Sequence, residues 1–193
     1  MKVRTALVIG FVLLFGTLCW AQAPVFEVTK TDSTIKFYVK ASTKIEGNFQ
    51  KWDATIKFTS PELSTGVLDI KIQAASVNTG SGMKDDKLKS KDFFDAEQDP
   101  VISFLSKKIV QTGPDTFEVD GDFTIRGVTK PEKLTLTGSG RGAATVTIEG
   151  TMAFDRKDYG MDKGIPLVKI ADRVEVTVNL KAKRISGPLV NLK

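Results

Sequence analysis

The chain has 193 residues, no histidine and one cysteine, and its formal net charge at pH 7 is +5. Without histidine it cannot build a Ser-His-Asp triad or the usual zinc sites, and it lacks the commonest general base. We therefore predict a protein that is not an enzyme and that binds no metal and no cofactor. The lysines alternate with acidic residues and no basic stripe carries interleaved aromatics, so nucleic-acid binding is not expected.

The N-terminus has the layout of a secretory signal peptide. Lys2 and Arg4 form a basic start, residues 6–18 are apolar and uncharged, and Ala21-Gln22-Ala23 follows. The apolar run is short for a membrane span. We predict a signal peptide over residues 1–23, cleaved after Ala21 or Ala23, and a periplasmic or secreted protein without a permanent membrane anchor. The alternative is an uncleaved N-terminal anchor.

The mature chain, residues 24–193, is predicted to be a single domain. Its length of about 170 residues is enough for one real core or one closed barrel. The only cysteine, Cys19, leaves with the signal peptide, so the mature chain forms no disulfide even in an oxidising compartment. Loss of Lys2 and Arg4 lowers the net charge by two, from +5 to +3.

Apolar and polar residues alternate with period two in nine stretches of the mature chain. Strands with one buried and one solvated face have this pattern, and they are typical of antiparallel sheets. The stretches are residues 35–39, 45–49, 54–58, 68–72, 102–104, 117–125, 134–136, 146–154 and 174–180. Turn signals separate several of them, at Ser60-Pro61, Thr112-Gly113-Pro114, Lys130-Pro131 and residues 138–142. The sequence therefore predicts an all-β domain of eight or nine strands.

Eight or nine such strands can form a sandwich or close into a barrel. Gly121 and Gly150 each lie in the middle of an inward-facing apolar row. Glycine at such a position suits a strongly bent strand, or a place where another group approaches the backbone closely. An eight-stranded barrel has room for side chains or for one small ligand. These features favour the barrel.

The alternation stops between residues 76 and 104, where the best helix candidate is residues 83–90. Phe93 and Phe94 follow the candidate helix. In an extended chain adjacent residues point to opposite faces, so one ring would plug the barrel end while the other contacts a ligand. Alternatively, both rings pack the short helix onto the barrel. We interpret this insert as a cap over one end of a hollow barrel, and its Asp85 as a helix-start charge.

Five short motifs, taken in order, resemble those of the YceI-like family of secreted, lipocalin-like proteins named for polyisoprenoid binding. The motifs are Thr79-Gly80 with Met83-Lys84-Asp85, Leu88, Ser90 and Asp92-Phe93-Phe94; Asp99-Pro100-Val101-Ile102-Ser103-Phe104; residues 123–131; Arg156-Lys157-Asp158-Tyr159-Gly160; and Asp172-Arg173-Val174-Glu175-Val176. The resemblance covers about residues 25–183. The chain departs from the family pattern at Lys87, where many members carry histidine, and at Lys84, where arginine is common.

The resemblance implies an extended eight-stranded antiparallel lipocalin-like barrel with a short helical insert and a long apolar tunnel. It further implies that the tunnel holds an isoprenoid-type amphiphile, such as a polyprenyl lipid or a quinone tail. Burial of such a chain gains about 25 cal/mol per Å² of apolar surface and needs only a continuous apolar lining.

The candidate ligand-binding residues are the inward-facing apolar side chains of the strands and the apolar side chains of the insert. They are Phe37, Val39, Phe49, Ile56, Phe58, Leu88, Phe93, Phe94, Phe104, Phe123, Ile125, Met152, Phe154 and Val176. The partner predicted from them is an isoprenoid or another long-chain apolar small molecule. The alternative is that these side chains fill a solid core, and that the protein is a structural or protein-interaction barrel. The sequence leaves open whether the protein forms a homodimer.

Overall fold

A computed structural model describes residues 22–42, 45–140, 142–164 and 168–193. Residues 1–21 of the predicted signal peptide lie outside these ranges, so the signal peptide and its cleavage site stay predictions. The strands are β1 (Val25–Val28), β2 (Thr34–Ala41), β3 (Ile45–Phe49), β4 (Trp52–Lys57), β5 (Val67–Gln73), β6 (Val77–Asn78), β7 (Val101–Gln111), β8 (Thr116–Ile125), β9 (Val128–Ser139), β10 (Thr145–Asp155) and β11 (Ile170–Ser186). One α-helix, α1 (Gly82–Lys89), lies between β6 and β7.

Neighbouring strands pair antiparallel around a closed ring. The order is β1, β4, β5, β7, β8, β9, β10 and β11, and the pairing of β1 with β11 closes the ring. At one end β2, β3 and β6 extend this ring, and β2 also pairs with β11. The pairs β1 and β2, β3 and β4, and β5 and β6 are thus three long strands, each interrupted once. The prediction of an eight-stranded antiparallel barrel with one short helix is confirmed, and the sandwich alternative is wrong.

Buried serine hydroxyls complete the backbone hydrogen bonds where the strands are irregular. Ser33, in the break between β1 and β2, is 6 % exposed. Its hydroxyl donates to the Thr29 carbonyl at 2.7 Å and accepts from the Lys181 amide at 2.9 Å. Beside the bulge in β7, the Ser106 hydroxyl accepts from the Leu68 amide at 2.8 Å. Because buried amides and carbonyls need partners, these hydroxyls let the strands bend inside a closed ring.

One predicted turn, at Lys130-Pro131, is wrong. Both residues lie inside β9, and the turn between β8 and β9 is at Arg126-Gly127, where the two φ angles are 53° and 69°. Pro131 is opposite Asp122 of β8, but β10 pairs with β9 only from Thr135 onward. The side of β9 away from β8 is therefore a local sheet edge at Pro131, and proline is tolerated at sheet edges.

Helix α1 and the turn after it close one end of the barrel. The predicted helix is confirmed, displaced by one residue at each end. Phe93 and Phe94 are 5 % and 8 % exposed. The Phe94 ring centroid lies 5.9 Å from that of Phe49 and 6.3 Å from that of Phe37. Both rings face the barrel, as in the second alternative, because the chain turns here and the two-residue alternation of a strand does not apply.

Close approach of other groups explains the two interior glycines. A Cβ atom at Gly121 would lie 2.6 Å from the Leu105 carbonyl oxygen and 2.7 Å from Phe104 Cζ. A Cβ atom at Gly150 would lie 2.8 Å from Leu136 Cδ2. Glycine at these positions therefore makes room for interior side chains of neighbouring strands.

Gly121→Ala is expected to lower the free energy of unfolding by about 1–3 kcal/mol, because the added methyl group meets a main-chain oxygen that cannot rotate away. Urea unfolding followed by circular dichroism measures this loss. Gly82→Ala is the matched control: apart from its chain neighbours and the backbone of α1 itself, no atom lies within 4 Å of its Cβ position. Gly82 also begins α1, so the free energy of unfolding should stay constant or rise. Equal losses in the two variants would contradict the explanation.

Candidate binding site: two cavities inside the barrel

Two apolar cavities lie inside the part of the barrel that the structure describes, one near each end. The larger has a volume of about 280 Å³ and lies at the end away from α1, while the smaller has about 70 Å³ and lies beneath α1. No described residue lines both. The larger volume is close to the lower end of the range for small-molecule sites, about 300–1,000 Å³.

The structure divides the fourteen predicted lining residues into three groups. Ten surround the smaller cavity: Phe37, Val39, Phe49, Leu88, Phe93, Phe94, Phe123, Ile125, Phe154 and Val176. Two, Ile56 and Phe58, line the larger cavity. The remaining two, Phe104 and Met152, line neither cavity, although both are buried.

A filled layer, which we call the waist, separates the cavities. Along β10, Ile148 lines the larger cavity, Phe154 lines the smaller, and Met152 lies between them. Along β7, Phe104 lies between Ile109 of the larger cavity and Ile102 of the smaller. Leu134 of β9, which is 1 % exposed, also lines neither cavity. A filled waist thus lies between these two cavities of the described barrel, where the resemblance implied one long tunnel.

Sequence reasoning missed most of the larger cavity. Phe117, Val146 and Ile148 line it, and all three lie at inward positions of the alternating rows, so a signal for them was present. Leu189 and Leu192 also line it, but they follow the last strand, where no alternation marks them.

The C-terminal residues 187–193, which we call the strap, run along the larger cavity. The Asn191 amide donates to the Pro61 carbonyl at 2.8 Å, and its side-chain amide donates to Glu62 Oε1 at 2.7 Å. The Gln111 side chain donates to the Lys193 carbonyl at 3.0 Å and accepts from the Lys193 amide at 2.7 Å. A few hydrogen bonds and apolar contacts therefore hold the strap in place.

Arginine side chains fasten the opposite, capped end. Arg126 donates from Nη1 to the Gly160 carbonyl at 2.6 Å and from Nη2 to the Lys91 carbonyl at 2.8 Å. It thereby ties the turn after α1 to the loop after β10. Arg156, only 6 % exposed, donates to the carbonyls of Met161 and Lys163. The motifs that carried the family resemblance meet at this end.

An aromatic cluster lies under these arginines. Tyr159 is fully buried, and its ring centroid is 5.5 Å from that of Phe123 and 5.2 Å from that of Phe154, both nearly edge-on. Its hydroxyl donates to Glu132 Oε1 at 2.9 Å. Burial, reinforced by this hydrogen bond, raises the pKa of Tyr159 far above its usual range. The phenol is therefore a structural hydrogen-bond donor.

Two carboxylates near the cap have lowered pKa values. A hydrogen bond from Lys87, 2.7 Å away, holds the pKa of Asp92 below its ordinary value of 3.8. For Asp172 the main cause is the hydrogen bond from Lys157 at 2.7 Å, and the charge of Arg156 adds to it. Asp92 and Asp172 therefore form ion pairs with lysines. Among the described residues, no cluster of three or more histidine, cysteine, aspartate or glutamate side chains is arranged so that it could hold a metal ion.

An antiparallel eight-stranded barrel that encloses apolar cavities defines a lipocalin-like protein. The family model for the YceI-like domain matches residues 26–182, and the chain belongs to the YceI-like family. A relative, the UPF0312 protein of Pseudomonas savastanoi pv. phaseolicola, is 29 % identical over 167 residues, which cover 83 % of this chain and 87 % of the relative.

Solved structures are similar as well. The crystal structure of Burkholderia cenocepacia BcnA matches with a TM-score of 0.73 and 28 % identity, covering 80 % of this chain and 99 % of that one. A polyisoprenoid binding domain from Saccharophagus degradans, implicated in plant cell wall breakdown, matches with a TM-score of 0.67 over 83 % of this chain and 99 % of that one. At 16 % identity this second likeness is one of fold.

A helix that crosses a membrane needs sufficient length and hydropathy. Within the described ranges, no helix is both long and apolar enough to cross a membrane.

Arg126→Ala is expected to lower the free energy of unfolding by about 1.5–3 kcal/mol, because two carbonyls lose a charged donor. Hydrogen exchange at residues 82–99 should become faster. Arg126→Lys should recover little of the lost free energy of unfolding, since an ammonium group lacks the planar fork that reaches both carbonyls. Arg173→Ala, at a side chain that is 70 % exposed, is the control and should change stability little. Full rescue by lysine would contradict this role.

Asp172→Asn is expected to destabilise the protein at neutral pH and to lose this effect in acid. The folded-state pKa of Asp172 is lowered, so its stabilising contribution is complete above about pH 4 and disappears as the pH falls through the folded value. Unfolding free energies of both proteins, measured between pH 7 and pH 2, should therefore converge below about pH 4. A difference that stays constant with pH would show that the carboxylate charge is not responsible.

Proposed function

We propose that this protein is a non-catalytic carrier or store for an isoprenoid-type amphiphile, and that the apolar chain of the ligand lies in the larger cavity. The observation that carries the proposal is a cavity of about 280 Å³ whose described lining is apolar except for Asp115, Ser139 and Arg184. The fold shared with a protein described as a polyisoprenoid binding domain supports the choice of ligand class.

The driving force is burial of apolar surface, at about 25 cal/mol per Å². A short isoprenoid chain, or the end of a longer one, fits the cavity as it stands. A longer chain would cross the waist toward the ten predicted lining residues beneath α1. Met152 lies in its way, and methionine is unbranched and adapts its shape easily. The waist would then limit how much of a long chain the barrel can hold.

The strapped end is the proposed route of access. The capped end is fastened by arginine forks and a buried aromatic cluster, while the strap is held by a few exposed hydrogen bonds. Local opening favours the part of a protein with fewer buried contacts. Because a signal peptide is predicted, we propose that the carrier works in the periplasm or outside the cell.

A barrel that acts through its outer surface is the second candidate function. The filled waist and the small volume of the cavity beneath α1 favour it, because a ligand-holding tunnel would be open there. The two candidates differ in one respect that can be measured: only the first requires a molecule inside the barrel.

The test is extraction of the purified protein with organic solvent and mass spectrometry of the extract, together with uptake of farnesol by the lipid-free protein. We expect an isoprenoid lipid to co-purify and farnesol to bind. Ile148→Trp, which places an indole ring in the larger cavity, should weaken farnesol binding about tenfold or more with the circular dichroism spectrum unchanged. Leu105→Trp places the same ring on the outer face, where Leu105 is 46 % exposed, and should bind normally.

Two results would overturn the proposal. One is the absence of any co-purifying lipid combined with no uptake of farnesol. The other is a folded Ile148→Trp variant that binds farnesol as tightly as the Leu105→Trp control does. Either result would favour the interaction barrel.

A further inference from the structure

The inward-facing apolar row of β11 ends in a charged residue at the larger cavity. Val178, Leu180 and Ala182 are buried at alternate positions, and the next inward position is Arg184. Its cross-strand neighbour on β1 is Phe26, and both residues line the cavity. Since directly opposed residues of antiparallel strands point to the same face, the register explains why this arginine faces inward.

One edge of the Arg184 guanidinium has no partner. Nη1 donates to the Gly187 carbonyl at the start of the strap. Nε is buried and has no acceptor, and Nη2 donates to none of the described residues. Asp115 is the one acidic side chain on the described lining, and it is exposed and forms no ion pair with Arg184. The unpaired Nε and Nη2 together form the side of the fork that binds an oxyanion through two hydrogen bonds.

Two other arginines of the described chain, Arg126 and Arg156, differ from Arg184. Arg126 also has a buried Nε without a partner, but both of its Nη atoms donate to carbonyls, and it lines neither cavity. All three guanidinium nitrogens of Arg156 donate hydrogen bonds, Nε and Nη1 to backbone carbonyls and Nη2 to the Asp172 carboxylate. Position 184 also lies beyond residues 26–182, so the family match does not account for it.

We propose that Arg184 is the head-group residue of the larger cavity, and that its Nε–Nη2 edge binds the oxyanion of an amphiphile, a carboxylate or a phosphate, whose chain fills the cavity. This inference rests on the proposed function and adds the head-group chemistry to it. An apolar lining holds any chain of suitable width, whereas a charged fork at its edge selects chains that end in an oxyanion.

The experiment compares three probes with the same chain: dodecanoate, dodecyl phosphate and the neutral dodecanol. Binding to the purified protein is measured by calorimetry at neutral pH. The wild-type protein should bind both anions about tenfold or more tightly than dodecanol. Arg184→Met keeps the apolar stem of the side chain and removes its hydrogen-bond donors. Its affinity for the two anions should therefore fall about tenfold, while its affinity for dodecanol should stay unchanged. Arg184→Lys should recover only part of the loss, since it lacks the fork.

Arg173→Met is the matched control, because it makes the same change in net charge on the outer, exposed part of β11. It should bind all three probes like the wild type. If Arg184 only holds the strap through Gly187, Arg184→Met will change the affinity for all three probes by the same factor, and the inference is overturned. The inference is also overturned if the wild-type protein binds dodecanol as tightly as it binds the anions. This second test uses the wild-type protein alone, so it does not depend on whether a variant folds.

The outcomes also separate this inference from the proposed function. If dodecanol and the anions bind equally, the carrier function stands and the head-group role fails. If none of the three probes binds, the larger cavity holds no amphiphile of this length, and the carrier function fails together with the inference.

Discussion

Closure of the hydrogen-bonded ring is the constraint on which the rest of this structure depends. Strand β11, 17 residues long, pairs with β10 along one side, and with β2 and then β1 along the other. Because every interior amide and carbonyl must find a partner, the breaks in the first three long strands are tolerated only where groups such as the Ser33 hydroxyl restore the bonds. A closed ring has no sheet edges along most of its wall, so molecules can reach the interior only through its two ends.

The two ends are closed by different kinds of interaction. At the capped end, the Arg126 fork holds two loops through their carbonyls, and the ring of Tyr159 is completely buried beneath them. At the other end the strap contributes apolar side chains such as Leu189, which is itself 49 % exposed, and hydrogen bonds near the surface. The larger cavity lies at this less firmly closed end, which is why the proposed site, its route of access and its head-group residue come together there.

The glycines shape the interior as much as the aromatic residues do. Gly121 and Gly150 allow Phe104 and Leu134 to reach close to the backbone of neighbouring strands, so the middle of the barrel is filled. The filled waist leaves empty space only toward the ends. A carrier with this interior would hold a short apolar chain without rearrangement and a long one only if the waist moved. The waist thus links the packing of the core to the length of the ligand.

Alternation with period two is a local property, so the amino-acid sequence predicted an all-β domain, the short helix and the inward face of most strand residues, although not the strand position of Lys130 and Pro131. It predicted fourteen apolar lining residues, and the structure gathers ten of them around one cavity. How deep each inward residue lies along the barrel depends on packing between strands. Alternation gives the side of a strand but not the height along the barrel, so Phe104 and Met152 came to lie in the waist. The local sheet edge that tolerates Pro131 exists because β10 pairs with β9 only from Thr135 onward. The strap has no alternation of apolar and polar residues, so the sequence did not predict its position. Arg184 followed the same alternation as its apolar neighbours, and only packing against the cavity and Gly187 left one edge of its guanidinium unpaired.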